Sequence, residues 1–147
     1  MDFLDYAMDL YPLGEYAFVI VKDGEVLATG TREGVGELLE TVAKHGAGLR
    51  GAGLADKIVG KAVAMVAAYA GITKIYTPLG SEAAQKVCEQ YGITFRAERI
   101  VPLILNKRND GPCPMERLTL PLAEPTNAVA ALREFVAQKR VPAASVS

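Results

Sequence analysis

Cysteine occurs only twice in this chain, at Cys88 and Cys113. That is too few for a disulfide framework and makes a reducing cytoplasm the expected compartment. Histidine occurs once, as His45, and tryptophan not at all. An excess of one charge is also missing, since 16 Lys plus Arg stand against 17 Asp plus Glu. No basic run longer than Lys107-Arg108 precedes the tail, so the electrostatic footprint of a nucleic-acid binder is absent. The longest apolar stretch, residues 62–72, is far too short to cross a bilayer. The acidic start, Met1-Asp2-Phe3-Leu4-Asp5, does not resemble a signal peptide. No membrane or nucleic-acid partner is therefore expected.

What is present is the make-up of a folded domain, with 50% hydrophobic and 22% charged residues over 147 positions. Residues 1–140 are expected to form a single domain and 141–147 a frayed tail. Tyr16-Ala17-Phe18-Val19-Ile20-Val21 and a second run from Glu25 to Thr29 flank Asp23-Gly24, a strong hairpin signal. Val35, Leu38, Leu39 and Val42 form the stripe of an amphipathic helix closed by Gly46, with His45 in its last turn as an ordinary C-terminal cation. Residues 46–53 read as a loop. Asp56 reads as the N-cap of a second helix ending near Tyr69, apolar on every face after Lys61 and so buried. Strands follow at 72–77, 93–100 and 118–120. Between the first two, Ser81 caps a helix, and Pro125 opens the last helix. The expected fold is α/β, a mixed five-stranded sheet covered by helices.

Two clusters carry possible chemistry. Lys57 and Lys61, four apart at the expected start of the second helix, would share one face where the helix dipole disfavours cations by up to ~1 kcal/mol each. Lysines so placed call for an anionic partner, either a ligand bound at the helix start or an internal carboxylate such as Asp56 or Glu116. The segment is not a phosphate loop, because Ala55 and Ala62 replace the glycine and hydroxyl residues that motif needs. In Gly111-Pro112-Cys113-Pro114-Met115-Glu116, a cysteine sits between two prolines on rigid backbone. Cys113 is either a thiol activated by nearby lysines or a small residue packed in a turn, whereas Cys88 falls on a helix core stripe. No H-x-E and no C-x-x-C occurs, so the ligands of a zinc-dependent deaminase are missing, and neither metal nor cofactor is expected.

The stretches 16–24, Ala55-Asp56-Lys57-Ile58-Val59-Gly60-Lys61-Ala62, Ser81-Glu82, Val101-Pro102, Ile104-Leu105-Asn106 and Cys113-Pro114-Met115-Glu116 resemble an uncharacterised prokaryotic family of the cytidine-deaminase-like superfamily. The resemblance covers about residues 13 to 136. It implies a deaminase-like three-layer sandwich in which two helix starts, here expected at Asp56-Lys57 and at residues 78–81, stand where deaminases hold zinc. One departure is Lys107, which separates Asn106 from Arg108, so that either cation could face the pocket.

Together these readings give an expected pocket lined by Asp56, Lys57, Lys61, Ser81, Asn106, Cys113 and Glu116, binding a small anionic metabolite, nucleotide-like or otherwise phosphorylated. The first alternative is a cysteine-dependent enzyme with Cys113 as nucleophile, Lys57 or Lys61 stabilising its thiolate and Glu116 as acid or base. The second is a catalytically silent interaction module. A homo-oligomer is compatible with all three.

Overall fold

The Asp-Gly step forms the hairpin that the sequence specifies. In the computed structural model, which describes residues 16–31, 35–106 and 108–140 (without the side chains of 139 and 140), β1 (Phe18–Lys22) and β2 (Glu25–Gly30) pair antiparallel. Both turn residues take positive φ, 52° at Asp23 and 78° at Gly24, as a tight two-residue turn between right-twisted strands requires. Helix α1 (Gly36–His45) follows and buries Leu38, Leu39 and Val42, with Val35 just ahead of it also buried.

The next segment departs from the expectation. Residues 46–53 are not simply a loop, since a short 3-10 turn covers Gly46–Leu49 and β3 begins at Gly53. Asp56 does not cap a helix. It ends β3 (Gly53–Asp56), and β4 (Ile58–Val59) continues in the same direction before α2 (Lys61–Ala70) starts. Leu54 faces Ile75 and Ile58 faces Leu79, both offsets of 21, so β3 and β4 are one strand interrupted at Lys57. The β-branched Ile58-Val59 favours strand over helix, and pairing with a central neighbour outweighs the capping preference of Asp56.

Strand β5 (Lys74–Ser81) is central, flanked in parallel by β3 and β4 on one side and by β6 (Thr94–Val101) on the other. The sheet has six strands in five lateral positions, β1 and β2 being its antiparallel part. Helix α3 (Glu82–Gln90) lies between β5 and β6 in sequence. The strand expected near 118–120 is absent. Pro114 instead opens a short helix α4 (Pro114–Thr119), its missing N–H costing nothing at a first helical position. Helix α5 (Pro125–Arg140) begins at the expected proline.

One apolar cluster joins the helices to alternate strand residues, among them Phe18, Ile20, Leu54, Val59 and Ile75 with Leu38, Met65, Val66, Val87 and Leu132. Val19, Val21, Ala55 and Tyr76, on the opposite strand faces, are also buried but lie outside that cluster. The middle strands are thus buried on both faces, as parallel strands of α/β proteins are. Residues 141–147, expected as a tail, lie outside the described residues.

Candidate functional site

Three parallel strands end side by side. Val59 pairs with Gly80, and Gly80 with Ile100, so α2 and α3 both start at the carboxyl edge of the sheet, where ligands of open α/β folds bind. The segment from Pro102 to Pro114 leaves β6 at this same edge.

The start of α2 is closed from within the chain. Gly60 is its N-cap and has no side chain to offer the first helical N–H groups. Glu116, only 2% exposed, supplies the acceptor: its carboxylate receives the backbone N–H of Lys61 at 2.7 Å and that of Ile104 at 2.9 Å. A Cβ at position 60 would stand 3.1 and 3.2 Å from the two carboxylate oxygens, so a glycine there makes room for the cap. A negative charge at this end also matches the helix dipole. Glu116 is held by α4, whose first turn is pinned where Cys113 N–H donates to Ile104 O at 2.8 Å. Cys113-Pro114-Met115-Glu116 therefore acts as a clasp joining the segment after β6 to the start of α2.

The other expected site residues are dispersed. Ser81 caps α3, its hydroxyl accepting Ala84 N–H at 3.1 Å in a fully buried position. Asn106 organises a surface turn, accepting the backbone N–H of Arg108 and Asp110 and donating to the Asp110 carboxylate at 2.8 Å. Arg108 is exposed, and Lys107 lies outside the described residues. Asp56 accepts Ile58 N–H at 3.3 Å beside the strand interruption. It keeps part of its surface, yet desolvation pushes its carboxyl up to about 8, against the opposing effect of hydrogen bonds from Ile58 and Lys57 backbone. Lys57 precedes β4, its backbone N–H donating to Ala17 O, and it is not helical. Lys57 and Lys61 accordingly share no helical face, and of the seven residues only Lys61 lines either of the two clefts described next.

One cleft, of about 490 Å³, does open beside this edge. It lies between α2, α3 and the segment after α4, lined by Lys61 and Met65, by Glu82, Lys86, Val87 and Gln90, and by Pro102 with Leu120, Pro121, Leu122 and Ala123. Its size is that of small-molecule sites. Of the expected set only Lys61 reaches it. The Lys61 ammonium donates to Leu120 O at 2.8 Å, and desolvation lowers its pKa while Glu116 opposes that shift. Among the described residues neither Lys61 nor Lys86 is ion-paired. Sequence spacing could not disclose Lys86, because only the packing of α3 against α2 brings it opposite Lys61. A second, shallower groove between α1 and α5 is lined by Leu39, Ala43, Val136 and Ala137 with Glu40 and Arg133.

Among the described residues no group of His, Cys, Asp or Glu gathers as metal ligands would, and no helix is long and apolar enough to cross a membrane.

A mixed sheet whose parallel strands end at two helix starts, one closed by a carboxylate and the other by a serine hydroxyl, defines an α/β protein. Residues 7–136 match the family described as TM1506, domain of unknown function DUF1893, and the chain belongs to that family. The crystal structure of the DUF1893 family protein TM1506 from Thermotoga maritima is similar over 89% of this chain and 88% of its own, at 23% identity and a TM-score of 0.80. A dCMP deaminase from the cyanophage S-TIM5, in complex with dCMP and dUMP, is similar over 63% of this chain and 93% of its own (16% identity, TM-score 0.48). A diaminohydroxyphosphoribosylaminopyrimidine deaminase/5-amino-6-(5-phosphoribosylamino)uracil reductase from Thermotoga maritima is similar over 81% of this chain and 40% of its own (19% identity, TM-score 0.44). No curated protein matches the chain.

Proposed function

We propose that the protein binds a small anionic metabolite, nucleotide-like or otherwise phosphorylated, in the cleft between α2 and α3. The observation that carries this reading is the pair Lys61 and Lys86, reaching one cleft from two helices; neither is ion-paired among the described residues, although Glu82 also lines the cleft and Glu116 acts on Lys61 through space. Lys61 is partly desolvated and has a backbone carbonyl as its hydrogen-bond partner, and its ammonium stays open to the solvent from which an anion would arrive. Gln90 adds a neutral hydrogen-bonding group, and Met65, Val87, Pro102 and Leu122 offer apolar surface to the uncharged part of such a ligand. The start of α2 is not part of this site, since Glu116 already occupies it.

Thermal unfolding against a panel of nucleosides, nucleotides and phosphorylated metabolites tests the reading. A ligand at ~100 times its dissociation constant adds about 2.7 kcal/mol to stability, which raises the midpoint measurably. The rise should vanish in Lys86→Met and in Lys61→Met and persist in Lys57→Met. A flat panel, or a rise that both cleft variants retain, would refute the proposal.

The cysteine-enzyme reading retains one observation in its favour, the partial exposure of Cys113 against the burial of Cys88. It is the weaker of the two, because the carboxylate assigned to acid–base work is already committed to two backbone N–H groups.

A further inference from the structure

Among the described residues, strand β6 pairs with β5 on one side only, and its other side is a sheet edge. Thr94 N–H donates inward to Thr73 O, so the alternation of a strand turns the backbone N–H and C=O of Phe95, Ala97 and Arg99 outward. Arg96 and Glu98 project from the same face, both exposed, and Glu98 is hydrogen-bonded by the Tyr76 hydroxyl from β5. Ile100, on that face too, is 40% exposed.

We propose that β6 pairs with β6 of a second copy of this chain, antiparallel about a two-fold axis at Ala97, to make one sheet across a homodimer. An axis at Ala97 sets Ala97 against Ala97 and Phe95 against Arg99, the positions whose backbone groups point outward on both copies. It then places Arg96 opposite Glu98 in both directions, as non-hydrogen-bonded neighbours with their side chains at the closest cross-strand spacing. The choice of register follows from charge. An axis at Arg96 would oppose two arginines, an axis at Glu98 would oppose two glutamates, and an axis one further residue away in either direction would leave both without an opposite charge. Charged residues on an edge can also serve to prevent pairing. Here their order along the strand complements itself.

Sedimentation velocity of the full chain over a concentration series tests this. Wild type should sediment as a dimer, and both Arg96→Glu and Glu98→Arg as monomers. The double variant Arg96→Glu/Glu98→Arg, with the pairs restored in reverse, should dimerise again. Ala97→Pro removes only an outward donor, so it should give a folded monomer, with circular dichroism reporting the fold. A monomeric wild type, a dimer that survives Ala97→Pro, or failure of the double variant to recover would each overturn the proposal.

Discussion

Glu116 ties the start of α2 to the segment that follows β6. Its truncation to alanine leaves two N–H groups, those of Lys61 and Ile104, without their acceptor. Each such loss costs about 1–3 kcal/mol, so Glu116→Ala should lower the unfolding free energy by about 2–6 kcal/mol in urea titrations. Unchanged stability would show that the carboxylate is not the cap described here. Asp56 makes a prediction of opposite sign to the usual carboxylate. Its folded-state pKa is raised from 3.8 to about 8, so the folded protein holds a proton that the unfolded chain has released between those values. Stability should therefore be greatest at low pH with respect to this group and fall as pH rises towards 8. With the partial exposure of the residue discounted, the change is on the order of 1–2 kcal/mol. Asp56→Asn should flatten that slope, and an identical pH profile in the variant would contradict the assignment. The cysteines differ as well. Burial, with a smaller contribution from Glu89, pushes the Cys88 thiol up to about 12, so native protein should be alkylated at Cys113 and spared at Cys88 at neutral pH. Equal labelling of both in mass spectra of the folded protein would mean that Cys88 is not held inside.

At the scale of elements, the readable parts were those with their own local signal. Asp23-Gly24 sets the first turn, Ser81 caps α3 and Pro125 opens α5, each through chemistry confined to a few residues. Around Asp56 the local signal points the wrong way, because a good capping residue stands where the chain is still a strand. What decides the matter is the register of residues 54 and 58 with β5, a long-range fact. The cap of α2 was illegible for the same reason, since its acceptor stands 55 positions downstream. The three-residue alternation at 118–120 was too short to outweigh Pro114 as a helix start. A helix beginning at Lys61 also explains the lysine pair: Lys57 belongs to the strand interruption and Lys61 to the cleft.

At the scale of the whole molecule, the fold class and the family were legible, because alternating helices and strands and the A-D-K-x-x-G-K and C-P-M-E segments are properties of the chain order. The site was only partly so. Two of its expected members, Lys61 and Glu116, meet at the start of α2, but Glu116 closes that start while Lys61 turns to a neighbouring cleft whose other cation, Lys86, no motif announced. What we propose is that an anionic ligand binds in that cleft and not at the sheet edge beneath the C-P-M-E clasp. Amide chemical-shift mapping of the labelled protein, titrated with inorganic phosphate and then with the phosphorylated panel, tests it most directly. The account predicts perturbations concentrated at Lys61, Met65, Lys86, Gln90 and Leu122. Perturbations centred on Lys57, Asn106 and Cys113, or none at any concentration, would contradict it.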